Sequence, residues 1–220
     1  MLEGYSPPDD FEGTQMNQQE NNSDHSKQVK INAAIERLIA CYDTGGKLMI
    51  CGNGGSAADC EHIVGELMKG FCLPRSLSSA DHDHLVATCG EDAAFLSEKL
   101  QYGMPALSLV SHSSLITAIA NDLDTDLIFA QQIWGIGKAG DILLAISTSG
   151  NSRNVLLAAK VARAKRITVI GLTGEDGGLL APHCDVLIDV PSFNVARIQE
   201  MHLPIYHKIC QSIEAHYFSS

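Results

Sequence analysis

The sequence predicts an α/β protein, a three-layer α/β/α sandwich on a five-stranded parallel sheet. Five short apolar runs recur along the chain, each near a Gly- or Ser-rich turn. Stretches with helical spacing alternate with them. Buried strands alternating with helices mean a parallel sheet covered on both faces.

In chain order, residues 1–26 are rich in Asn, Gln, Asp, Ser and Pro and poor in apolar side chains, which predicts a mobile tail or an arm on a partner subunit. A single domain is expected over 27–220. Val29, Ala33, Ile35, Leu38, Ile39 and Tyr42 recur at helical spacing and stop at Gly45-Gly46. Strands follow at Lys47–Cys51, Pro105–Val110, Asp141–Ile146, Ile167–Leu172 and Asp185–Val190. Helices are expected at Ala57–Met68, Ser113–Ile119, Ser152–Ala164 and Ala196–His216. The segment at about 72–102 is too long for an ordinary connection and reads as an insertion, a lid or an oligomer contact. Within it Asp92–Gln101 suits a helix, and Asp81-His-Asp-His84 suits a solvated loop.

Composition narrows the function. A formal net charge of −11 repels a phosphate backbone and argues against broad nucleic-acid or anionic-membrane binding. No apolar run reaches the roughly 20 residues that span a bilayer. The first residues lack the basic and apolar regions of a signal peptide. Seven cysteines, spread singly and odd in number, point to reduced, buried thiols.

In such sheets ligands gather at the carboxyl ends of strands. Two loops fall there. Ser147-Thr-Ser-Gly-Asn-Ser152 lies between an apolar strand and a helix, and its hydroxyls and free amides make an anion seat. A helix cap needs one Ser and leaves the others unexplained. In Cys51-Gly-Asn-Gly-Gly-Ser56, Gly54 and Gly55 permit close backbone approach, while Asn53 and Ser56 offer polar partners to a polyhydroxy ligand. Gly52-x-Gly54-x-x-Ala57 fits the loose dinucleotide fingerprint, but the acidic residue expected about 20 positions on is missing. His62 and Glu66, four apart, share a helix face. Spacing alone favours a surface pair; a position one helix beyond a phosphate-type loop favours proton transfer or metal ligation. Gln199, Glu200, His202 and His207 lie on the last helix, where Pro204 removes a backbone donor.

Together these motifs, with Ile119-Ala-Asn-Asp122 and Leu172-Thr-Gly-Glu-Asp-Gly-Gly178, resemble those of SIS-domain phosphoheptose isomerases, from about Ala34 to the C-terminus, broken by the Phe71–Tyr102 region. The resemblance implies a flavodoxin-like SIS fold and a cytoplasmic homotetramer with sites between subunits. It also implies conversion of sedoheptulose 7-phosphate to D-glycero-D-manno-heptose 7-phosphate, toward bacterial heptose sugars such as those of lipopolysaccharide. Carried onto this chain, Ser147, Thr148, Ser149 and Ser152 would hold the phosphate, and Asn53, Gly54, Gly55, Asn121 and Asp122 would line the sugar. Glu66 would move the proton between C1 and C2, with His207 as acid–base partner. His62, Glu66, Gln199 and His207 match the ligands of one zinc ion (Zn2+) per subunit. Met68-Lys-Gly-Phe71 departs from the family's Gly-Arg-Tyr; Lys69 supplies the charge but not a bidentate grip. The DnaA initiator-associating factor, a non-catalytic relative, is similar around Thr117–Asp122 and Ala196–His202 but lacks equivalents of Glu66 and His207. A third reading keeps the isomerase chemistry with another phosphosugar.

Overall fold

A computed structural model describes residues 11–219. Its helices are α1 (Phe11–Asp43), α2 (Gly55–Met68), α3 (Ser79–Cys89), α4 (Ala93–Lys99), α5 (Ser113–Asp122), α6 (Ala130–Ile136), α7 (Arg153–Ala164) and α8 (Val195–Phe218). The strands are β1 (Leu48–Cys51), β2 (Ala106–Ser108), β3 (Ile142–Ser147), β4 (Thr168–Thr173) and β5 (Val186–Asp189).

All neighbouring strands are parallel, in the order β2-β1-β3-β4-β5. Successive side chains of a strand point to opposite faces, and here both faces are covered. Leu48, Ile50, Ile142, Leu144 and Ile146 join a core with α1, α2 and α8. Met49, Cys51, Leu143 and Ala145 join a second core with α6 and α7. Asp141 fixes the start of β3 beside β1: it accepts from the Lys47 and Lys138 amides and pairs with Lys47 Nζ at 2.6 Å. In this strand order the direction of winding reverses between β1 and β3, the crevice where such folds bind ligands. The glycine and serine loops leave the carboxyl ends of those two strands.

Three expectations are refined or corrected. α1 opens at Phe11, so residues 11–26 are helical, as an ordered arm can be; residues 1–10 lie outside the described residues. Once Ile31, Ala34, Leu38 and Cys41 anchor α1 in the core, each further residue adds a hydrogen bond at little cost, and no proline interrupts 11–43. Asp81–His84 lies in α3 and not in a loop, because Ser78 caps that helix by accepting from the Asp81 amide. α6, which sequence periodicity did not reveal, places Ile133 in the core. The segment at 76–101 closes on itself through a bridge between Ser76 and Gln101. All seven cysteines are free thiols, Cys41, Cys51, Cys60 and Cys210 buried; burial pushes the Cys41 thiol up to about 11.

Candidate active site

The serine loop is shaped by its neighbours. Ser147 is buried and donates from Oγ to Ser152 Oγ at 3.1 Å. Ser152 occupies the N-cap of α7, yet its side chain makes no capping bond, so the positive end of the helix is left for another acceptor. Gly150 has φ +64°, and a Cβ there would lie 2.0 Å from the Gly177 carbonyl oxygen. The Gly177-Gly178 turn is thus the wall against which the loop is formed. A cavity of about 180 Å³ beside the loop is lined by Thr148, Ser149, Glu175, Asp176 and Phe193. Arg153, the first residue of α7, pairs with Asp126 at 2.6 Å.

The glycine loop works by leaving side chains out. Gly54 has φ +57°, in the region glycine tolerates. Gly55 begins α2, and a Cβ on it would stand 2.3 Å from Gln199 Nε2, so the bare backbone receives the Gln199 amide. Asn53 exchanges two hydrogen bonds with Asn154, at 2.9 and 3.0 Å, tying this loop to the first turn of α7. Ser56 is buried beneath the loop. The loops therefore share one ledge over the β1/β3 crevice.

Further along α2 and α8, His62 Nε2 lies 3.2 Å from Glu66 Oε1 and 3.4 Å from His207 Nε2. Phe71 packs on the His207 ring at 5.3 Å between centroids. Glu66 Oε2 is buried without a hydrogen-bond partner among the described residues; Lys69 Nζ approaches only to 3.8 Å. A buried carboxylate oxygen without a partner is costly to keep. Behind His62, the Tyr206 hydroxyl lies 3.2 Å from Nδ1 and donates to Asp59 Oδ1 at 3.1 Å. Burial, then Asp59, push the Tyr206 phenol up, so it stays a neutral donor. His202 is fully buried with Nε2 3.1 Å from the Thr173 carbonyl, and burial pushes its imidazole down: a structural histidine.

The end of α2 that carries Glu66 is held by a group the sequence did not suggest. Arg75 donates to the Leu67 and Glu66 carbonyls and pairs with Glu214 at 2.9 Å, both side chains almost fully buried. Glu214 also accepts from the Phe71, Cys72 and Leu73 amides. Burial alone would raise its carboxyl; these donors outweigh it and hold it below the usual range. Asn121 bonds to Asp122 at the exposed end of α5, and among the described residues no hydrogen bond joins either to the two loops or to His62. Asn154, Arg75, Glu214 and Tyr206 were missed because their partners lie 101 to 147 residues away; the only hint was Tyr206 standing beside His207.

No helix among the described residues is long and apolar enough to cross a membrane. Among the same residues no group of three His, Cys, Asp or Glu is arranged as a metal site.

The SIS domain family model matches residues 15–80 and 77–174. A phosphoheptose isomerase of Roseiflexus sp. is 37% identical over 83% of this chain and 79% of its own. One from Rhodospirillum rubrum is 41% identical over 80% of each. The structure of phosphoheptose isomerase GmhA from Neisseria gonorrhoeae superposes with a TM-score of 0.69 and 32% identity, covering 93% of this chain and 97% of that one.

Proposed function

The chain belongs to the phosphoheptose isomerase family of SIS-domain proteins, and from that premise we propose that it interconverts sedoheptulose 7-phosphate and D-glycero-D-manno-heptose 7-phosphate. It is an isomerase of phosphorylated sugars. The observation that supports the assignment of roles best is the meeting of Glu66, His62 and His207. The phosphate sits at the open end of α7, among Ser147, Thr148, Ser149 and Ser152, and anchors the sugar for reaction at its far end. Glu66 takes a proton from C1 of the ketose and returns it to C2. His207 carries the proton between O1 and O2, so the bonding electrons stay within the substrate and no redox partner is needed. The enediolate formed on the way is stabilised by positive charge beside its oxygens.

Zinc enters as part of the same proposal. His62, His207, Glu66 and Gln199 are donors of suitable type. The 3.4 and 3.2 Å separations around His62 Nε2 are near the edges, about 3.3 Å, of a tetrahedron with metal bonds of about 2.0–2.1 Å. Among the described residues no three such groups are closed around a metal; what supports the set is that both separations radiate from the one His62 nitrogen. A bound ion would polarise the carbonyl and stabilise the enediolate. The same reading makes the protein a cytoplasmic homotetramer, for which exposed Leu115, Leu123 and Trp134 give support. In that assembly Asn121 and Asp122 reach the sugar of a neighbouring site.

The test is turnover of sedoheptulose 7-phosphate beside hexose and pentose phosphates, with and without added zinc. Glu66→Gln lowers kcat by ~10²–10⁴-fold while the sugar phosphate still binds. A wild-type chain inactive on the whole panel refutes the proposal. If it instead captures a replication initiator, the adaptor reading takes its place. Elemental analysis finds about one zinc per chain if the metal reading holds.

A further inference from the structure

Resting on the isomerase reading, we propose that Arg75 and Glu214 are positioning residues that clamp the last turn of α2 to α8 and so hold Glu66 opposite His207. The need for a clamp follows from where the base sits. α2 runs Gly55–Met68, so Glu66 lies two residues from its end. The last four carbonyls of a helix have no partner within it, and such ends fray. Here one side chain takes two of the four. Arg75 Nη1 donates to the Leu67 carbonyl at 2.6 Å, and Nη2 donates to the carbonyl of Glu66 itself at 3.1 Å. A cation in this place also opposes the negative end of the helix.

The other half of the clamp stands on α8. Glu214 follows His207 by seven residues, two turns along the same face. Its carboxylate accepts from the Phe71, Cys72 and Leu73 amides at 2.7, 2.7 and 3.0 Å, and from Arg75 Nε at 2.9 Å. The chain from Phe71 to Arg75 is thus pinned to α8 while its last residue grips α2. Its first residue, Phe71, lays its ring on His207, 5.3 Å between centroids. The Phe218 ring lies against the guanidinium, 5.0 Å from its carbon. The Arg75 and Glu214 side chains are 0% and 1% exposed. An apolar pair of like volume often stabilises a fold as well as a buried ion pair does. What the ion pair adds is direction: a fork that reaches a carboxylate and two carbonyls at once, which lysine cannot. The placing of Glu66 relative to His207 is therefore set here, outside the reacting groups.

The experiment reads fraying and turnover side by side. Amide hydrogen exchange is followed along the full chain after dialysis against a chelator, so that no bound ion shares in the clamping. In the wild type the Glu66, Leu67 and Met68 amides exchange as slowly as those of Cys60 and Ile63 in mid-helix. Arg75→Lys and Glu214→Gln each speed exchange in that last turn ~10-fold or more, while α7 and β4 keep the wild-type pattern. In steady-state assays with zinc added, both lower kcat ~10–10²-fold with KM within about twofold, since the phosphate seat is untouched. A wild-type last turn that exchanges as fast as an open loop overturns the proposal without any variant. A variant that leaves the local exchange or kcat unchanged overturns it too. So does exchange that rises evenly through the whole fold while kcat per folded chain is kept, for the pair then serves stability alone. If Arg75→Lys fails to fold, Glu214→Gln and the wild-type pattern decide. Exchange needs no turnover: an inactive wild type refutes the isomerase reading, and the last turn of α2 then decides the clamp by itself.

Discussion

The glycine loop and the serine loop occupy equivalent places, each between a central strand and a helix, yet they are built by opposite means. In the first, a missing side chain makes room for another side chain: Gly55 yields its Cβ volume to the Gln199 amide. In the second, a missing side chain makes room for backbone: Gly150 lies against the Gly177 carbonyl. A side-chain amide can swing aside, whereas a backbone turn cannot. The first loop is therefore tuned for the ligand, and the second for its own shape.

The comparison can be broken first at Gly55. Gly55→Ala pushes Gln199 out of place, so kcat/KM falls ~10²-fold, as expected when a positioned group is displaced by about 1 Å. Thermal unfolding stays within about 1 kcal/mol of wild type, because alanine is the better helix former at that position. Gly150→Ala reverses the pattern. It adds about 1–2 kcal/mol of left-handed strain to a clash with fixed backbone, so stability falls by ~2 kcal/mol or more in denaturant titration. A Gly150→Ala protein as stable as wild type would undo the distinction. The smallest effect sharpens the role of Ser152. Ser152→Ala leaves the buried Ser147 hydroxyl without its acceptor, so stability falls by about 1 kcal/mol, and it raises KM for a phosphorylated sugar ~10-fold. A loss of stability with unchanged KM would mean that the hydroxyl serves the loop alone.

The sequence made the sheet legible because central parallel strands are buried on both sides and so read as apolar runs. It overestimated β2, where only Ala106–Ser108 pair, because an edge strand has one neighbour and Pro105 has no amide to give. The helix in the polar stretch 11–26 was not legible, because helix propagation from a buried anchor needs no apolar face of its own. In the site, residues that share a helix face, such as His62 and Glu66, announce themselves by spacing. Arg75 with Glu214, and Asn53 with Asn154, do not, since only the completed fold brings their partners together. Buried charge is especially hard to foresee. An arginine in Phe-Cys-Leu-Pro-Arg looks like surface until a carboxylate 139 residues later removes it from water.

The bridge between Ser76 and Gln101 has a further consequence. The segment it closes contains α3, which buries no residue, and α4, which buries only Ala93. It thus enters and leaves the domain through a single doorway, with Arg75 as the bolt just outside. Chain length beyond such a doorway is nearly free of register constraints, since doubling a closed loop costs only ~0.6 kcal/mol. Length can change here while the chemistry on α2 and α8 stays in place.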